Sequence, residues 1–292
     1  MGTMKDVVVT ARNNASTYDY TLICQVFRGG KCKVKGEKKR RSGSGAARME
    51  GGAGGSDFFD FVFGRASGIL SAMDPYANLP VPEEARPRLA ELAALLREWN
   101  SKVNLVSRPD AAHLEKHHIA PSLAPLRFLK FNGPASVLDA GTGGGLPGLP
   151  LAICYPHTKF LLVDSIGKKV RAVEDMARRL GLKNVEARQA RVESLAGQFD
   201  FVLGRAVTAL PVLVSWIRGR IRPGDGHSLP NGLLCWKGGD LTEELDALGV
   251  EPRQRFFLEA FFQDEYFREK YILHFAAEDL AKARPPKTEG QA

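Results

Sequence analysis

A chain of 292 residues, 44% hydrophobic and 25% charged, is long enough to bury a full core in one α/β domain of roughly 200 residues with further elements around it. No apolar run approaches the roughly 18 residues of a membrane span, and no apolar segment with a small-residue cleavage site follows the first methionine; the expectation is a cytoplasmic protein. The net charge of +8 does not by itself mark a nucleic-acid binder, because residues 1–48 carry 11 Lys and Arg against 3 Asp and Glu and the rest of the chain carries 30 of each.

All of the excess charge therefore sits in a leader, residues 1–55, where Lys38-Lys39-Arg40-Arg41 runs into Ser-Gly-Ser-Gly. Like charges in a row followed by small residues favour disorder. The segment is expected to lie outside the fold, either as a basic tether or transit-like extension or, the favoured reading, as sequence upstream of a start at Met49 or Met73.

The folded chain is expected from Asp74, opening with an N-terminal helical segment over 74–132. Leu89, Leu92, Ala93, Leu96 and Trp99 recur at helical spacing, with Leu95 widening the same face, and predict an amphipathic helix over 87–99. A second helix is predicted over 110–129, interrupted near Pro121 and Pro125. It brings His113, His117 and His118 together, but two histidines four apart without further ligands of fixed geometry do not make a metal site, and none is expected.

From Ser136 onward strands and helices alternate over 133–277, the signature of a mostly parallel, doubly wound sheet with helices on both faces. Strands are predicted at 136–140, 160–164, 185–188, 199–203 and 232–236. Helices are predicted at 149–154, 167–180, 210–221 and 242–248, and a hairpin of 256–262 with 271–275 closes the sheet. Residues 278–292 read as a polar tail. Cys154 and Cys235 lie in apolar runs and are expected to be core thiols; the four cysteines form no Cys-x-x-Cys pair.

The most informative stretch is 136–148, a strand that runs into Asp139-x-Gly141-x-Gly143-x-Gly145 and then a helix. Glycines there let the backbone turn tightly and approach a ligand, and the helix start offers free N–H groups. A dinucleotide fingerprint needs a third glycine where Leu146 stands, which argues against a nicotinamide enzyme. What remains is the pattern of S-adenosylmethionine (SAM) methyltransferases. Asp164, one βαβ step later, is placed to accept ribose hydroxyls, or to cap the following helix.

Ligands in open α/β sheets bind beyond the carboxyl ends of the strands. At the ends of the fourth and fifth strands the chain carries Gly204-Arg205-Ala206 and Lys237-Gly238-Gly239. Neither offers a base for removing a proton, and the Asn/Asp-Pro-Pro-aromatic segment and nucleophilic Cys of other nucleobase methyltransferases are absent. An acceptor that is nucleophilic while neutral, such as guanine N7, needs only alignment. Arg205 and Lys237 are suited to hold a phosphate or the O6/N7 edge of guanine, or to pair with carboxylates.

Taken in order, Glu98-Trp99-Asn100, Val103-Asn104-Leu105, His117-His118-Ile119 with Ser122-Leu123, the 138–148 loop, Val163-Asp164-Ser165-Ile166-Gly167-Lys168-Lys169, Arg191-Val192-Glu193, Arg205-Ala206 and Trp236-Lys237-Gly238-Gly239 resemble the small-subunit rRNA guanine-N7 methyltransferases, also called glucose-inhibited division protein B. The resemblance runs over about 75–277. It implies a Rossmann-like class I methyltransferase with a seven-stranded sheet, SAM as cofactor, and as acceptor N7 of one guanosine in the decoding-region loop of 16S rRNA, free or in the small ribosomal subunit. Implied cofactor contacts are Asp139, Gly141, Gly143, Gly145, Leu146, Asp164, Val192, Glu193 and Arg205, with Arg205 also in the catalytic role. Lys168, Lys169, Arg171, Arg191, Lys237 and Lys270 are the implied RNA contacts. Two positions depart from the family pattern: Pro121 replaces an Asp, and Lys270 replaces an Arg, keeping charge but losing bidentate geometry. The alternative is a ribosome-assembly protein that keeps SAM as a structural ligand. A monomer is expected.

Overall fold

The computed structural model describes residues 5–12, 18–26, 32–40, 47–50, 74–107 and 109–286. They fall into two compact units, residues 1–73 and 74–292. In the first, β1 (Lys5–Arg12), β2 (Tyr18–Val26), β3 (Cys32–Arg40) and β4 (Ala47–Glu50) pair in sequence order as an antiparallel sheet. The expectation of a leader without regular structure differs here: runs such as Val7-Val8-Val9-Thr10 carry strong strand propensity, which a reading of charge and small residues passes over. The proposed start at Met49 falls on β4; the one at Met73 lies outside the described residues.

The second unit opens with α1 (Arg86–Asn100), whose first turn carries Pro87, a residue with no N–H to lose there. Its apolar stripe, Leu89, Leu92, Ala93, Leu95 and Leu96, is buried. At its C-terminal end Trp99 donates from Nε1 to Asp175 at 2.9 Å, and Asn100 Oδ1 accepts from the backbone of Leu105 and Val106 at 2.8 and 2.9 Å, which shapes the loop that follows. The predicted helix over 110–129 is a chain of short turns instead: Pro109–His113, a wide turn at Glu115–Ile119, Ala120–Ser122 and Ala124–Arg127. Pro121 and Pro125 lack the N–H that a continuous helix requires, so each turn begins anew.

The sheet comprises β5 (Ser136–Ala140), β6 (Lys159–Asp164), β7 (Val185–Gln189), β8 (Phe201–Arg205), β9 (Gly232–Gly238), β10 (Gln254–Phe257) and β11 (Lys270–Ala276), in the order β10-β11-β9-β8-β5-β6-β7. β5 to β9 run parallel; β11 alone is reversed against both neighbours. α2 (Gly148–Cys154), α3 (Gly167–Arg179), α4 (Leu210–Trp216) and α5 (Thr242–Leu248) cover the faces. Alternation along each strand builds two cores. Val137, Phe201, Leu203 and Leu234 join α1, α2 and α3, while Leu138, Val202, Leu233 and Phe275 join α4 and α5. This is the Rossmann-like methyltransferase sheet that the sequence implies. Cys154 and Cys235 are buried free thiols, and burial pushes both up to about 12. Among the described residues no helix is long and apolar enough to cross a membrane.

Several boundaries differ from expectation. β8 begins at Phe201, just after the buried Asp200, whose side chain accepts from the Ser136 backbone and Asn231, while Phe199 only bridges Ile221. α4 stops at Trp216 as the chain turns toward Gly219. The closing hairpin is shorter on its first side, since Leu258, Phe262 and Phe267 leave the strand to fill the core, with the last two rings 4.5 Å apart. The tail is anchored further than its polarity suggests: a helical turn at Ala277–Leu280 buries Leu280, Ala283 follows it, and Arg284 donates to the Asp246 carbonyl.

Candidate functional site

The strand order reverses at β5, whose neighbours β6 and β8 lead to opposite edges of the sheet. The turn leaving such a strand opens into a crevice. Here it is the glycine loop. Gly141 and Gly143 sit at φ +68° and +59°, a region costly for a side chain, and a Cβ on Gly141 would lie 2.9 Å from Val207. Asp139 is 1% exposed at the base of the loop; its Oδ2 accepts from the Thr142 hydroxyl at 2.6 Å and from Gly148 N at 3.0 Å. Its Oδ1 is buried without a partner, and burial raises the carboxyl to about 6. Asp164 links the two turns: Oδ2 accepts from Gly143 N at 3.0 Å and Oδ1 from Ile166 N at 2.8 Å. It does not cap α3, whose N-cap position is Ile166.

The close helix–strand contact that a dinucleotide fingerprint assigns to position 146 is made by Gly148. A Cβ there would stand 2.7 Å from Asp139 Oδ2 and 2.8 Å from Leu162 Cγ. Gly148→Ala is expected to overpack this contact and cost about 1–3 kcal/mol, read as a lower urea midpoint at unchanged m-value. An unchanged midpoint would show that α2 rides freely on β6.

A cavity of about 570 Å³ lies between the glycine loop, the ends of β8 and β9, and the 105–121 segment. Of the residues expected at the site, Gly141, Gly143, Leu146, Lys169, Arg205, Lys237 and Lys270 line it. Asp139 and Gly145 lie buried behind the loop. Asp164 and Val192 are buried outside the lining, and Lys168, Arg171, Arg191 and Glu193 are exposed and also outside it.

Arg205 is the hub of the far wall. Nη1 donates to the His118 carbonyl at 2.7 Å and the Ser122 hydroxyl at 2.8 Å, and Nη2 donates to the His117 carbonyl at 3.0 Å. Burial lowers its pKa to about 10, so it stays protonated at neutral pH. Trp236 Nε1 adds a bond to the Pro121 carbonyl at 2.9 Å, so β8 and β9 together hold the broken helical segment. Pro121 thus supplies a backbone acceptor. Lys237 follows the carboxylate reading, its ammonium 2.7 Å from Glu244 and 3.1 Å from the Thr208 carbonyl.

Sequence reasoning passed over Asp110, Tyr266 and the roles of His117 and His118, all of which line the cavity. His117 stacks flat on Tyr266 at 3.7 Å, and Lys270 Nζ sits 3.1 Å above that ring. Burial drives His118 down to about 4 and also lowers His117. Arg205 Nη2, which can only donate, lies 3.4 Å from His118 Nδ1, so that nitrogen carries the lone pair and the proton sits on Nε2. Only the adjacency of His117-His118 to an Asp seven residues upstream hints at this grouping in the sequence.

The family model of GidB, rRNA small subunit methyltransferase G, matches residues 86–249. The chain is 45% identical over 206 residues to the ribosomal RNA small subunit methyltransferase G of Flavobacterium psychrophilum, covering 70% of this chain and 95% of that protein. It is 46% identical over 193 residues to the protein of the same name from Bacteroides fragilis, covering 66% and 93%, and 42% identical over 196 residues to that of Porphyromonas gingivalis, covering 66% and 87%. A glycine loop at the switch point, a cavity beyond it and a match over more than half of the chain agree: the chain belongs to the GidB family of methyltransferases, rRNA small subunit methyltransferase G.

Proposed function

We propose that this protein transfers a methyl group from SAM to N7 of a single guanosine in the decoding-region loop of 16S rRNA. The observation that carries the reading is the pairing of a cofactor-type glycine loop with a cavity wall where Arg205 and Lys270 meet two histidines held neutral by burial. The loop suits the cofactor: an unpartnered buried carboxylate oxygen on Asp139 matches a ligand ammonium, and the Asp164 carboxylate beyond the loop retains lone pairs for hydroxyl donors. When bound, SAM supplies an electrophilic methyl group on a sulfonium centre.

The residues themselves do the positioning. Guanine N7 carries its lone pair at neutral pH and needs no base; the His118 lone pair is directed at Arg205, and Asp110 is a weak carboxylate base. Arg205 fixes the wall against which the acceptor lies, and the Lys270 ammonium favours the O6 side of the base over a donor edge. Lys168, Lys169, Arg171 and Arg191 then serve as the rim for RNA phosphates, with Val192 and Glu193 beside the adenine of the cofactor.

Incubation of the protein with labelled SAM and small subunits lacking the modification, followed by N7-specific chain cleavage, is expected to map one methylated guanosine in the decoding loop. SAM binding without transfer to subunits or free rRNA would replace this reading by the assembly-protein one.

A further inference from the structure

Asp110 stands apart from the rest of the cavity wall. Its side chain is 33% exposed, it lines the cavity, and its neighbours there are Arg205, Lys270, His117 and His118. Ser107 Oγ donates to its Oδ2 at 2.8 Å. Among the described residues nothing else reaches it within hydrogen-bond distance: His117 Nδ1 is 3.6 Å from Oδ1 and His118 Nε2 is 3.8 Å from Oδ2. The cations nearby are already engaged, Arg205 with the 117–122 segment and Lys270 with the Tyr266 carbonyl at 2.5 Å. Both histidines are neutral near pH 7 because burial lowers them. The Ser107 hydroxyl holds the Asp110 carboxyl below its ordinary range, so a carboxylate with spare acceptor capacity faces the cavity.

A carboxylate in that place repels a phosphate and rewards a ligand edge that presents donors. Among the four RNA bases, guanine alone carries two adjacent donors, N1–H and N2–H, on its Watson–Crick edge. Adenine and cytosine pair one amino group with a ring acceptor, and uracil has a single N–H between two carbonyls. Two parallel N–H bonds to one carboxylate are the geometry in which charge-assisted hydrogen bonds are strongest. The same edge lies across the ring from N7, leaving N7 free to face the glycine loop. Methylation also places positive charge on the base, which a carboxylate opposite favours.

We propose that Asp110 is the specificity residue that selects guanine, accepting from N1–H and N2–H while N7 is presented for transfer. This rests on the guanine-N7 reading above. It assigns discrimination to a residue on the broken helical segment rather than to the sheet.

The test compares Asp110→Asn with the unaltered protein on small subunits reconstituted with 16S rRNA carrying either guanosine or inosine, which lacks the 2-amino group, at the accepting position. The unaltered protein is expected to lose roughly 10-fold in kcat/KM on inosine, and Asp110→Asn to lose on the order of 100-fold on guanosine, since bonds to charged groups are the costly ones to remove. Asp110→Asn should then treat inosine and guanosine within about twofold of each other, with its SAM affinity unchanged. An inosine penalty that is absent in the unaltered protein, or that persists in full in Asp110→Asn, overturns the assignment. The inosine arm needs no variant and so does not depend on Asp110→Asn folding. Failure of the unaltered protein to methylate guanosine at N7 instead removes the underlying reading, which is a distinct outcome.

Discussion

Arg205→Ala is expected to abolish methyl transfer, lowering kcat/KM by at least about 10³-fold, and to destabilise the fold by about 3 kcal/mol. The guanidinium is the only group bonded at once to the His117 carbonyl, the His118 carbonyl and the Ser122 hydroxyl among the described residues. Without it three acceptors lose a charged donor, and the 117–122 segment loses its tie to the end of β8. Arg205→Lys separates the two losses. An ammonium restores charge but cannot span three acceptors held in a planar fork, so the variant is expected to regain part of the stability and little of the transfer. Denaturant midpoints, SAM affinity and kcat/KM on small subunits decide the matter. If Arg205→Ala keeps both SAM affinity and transfer, the residue has no part in the reaction. If Arg205→Lys regains transfer fully, charge alone is required.

The central strands of the sheet were legible because they are buried on both faces, and such strands read as short apolar runs bounded by turn residues. Residues 136–140 and 242–248 match the observed β5 and α5 end to end, and α3 closes one residue early. The 110–129 segment was not legible in its true form. Its apolar residues keep helical spacing, but prolines divide it into turns whose order depends on Arg205 and Trp236 from strands far along the chain. In the leader, charge dominates the composition while β-branched runs decide the local pairing of β1 to β4.

The glycine loop was legible residue by residue, because positive φ and close approach restrict what each position tolerates. The far wall of the cavity was not. The sequence leaves Lys237 open between a phosphate and a carboxylate until α5 brings Glu244 to it, and Asp110 reads as a helix start until the broken segment turns it into the cavity. A charged residue signals its position in a motif but not its partner, which only the fold supplies.

His118 and Asp139 are expected to pull stability in opposite directions with pH. Burial depresses His118 from 6.5 to about 4. The unfolded chain therefore binds more protons between those values, and stability is full above 6.5 and lost as pH falls through about 4. Asp139 is raised from 3.8 to about 6. The folded chain there binds more protons, so its contribution is full below 3.8 and lost as pH rises through about 6. Each shift corresponds to about 3 kcal/mol, so the two nearly offset each other in the unaltered protein across pH 4 to 6. Removing either exposes the other. Relative to the unaltered protein, His118→Gln should gain in stability as pH is lowered from 6.5 to 4.5, whereas Asp139→Asn should lose over the same range. Urea unfolding of the three proteins at pH 4.5, 5.5 and 6.5 measures the slopes. Parallel slopes for all three would mean that His118 and Asp139 bind protons alike in the folded and unfolded chains, and that burial shifts neither.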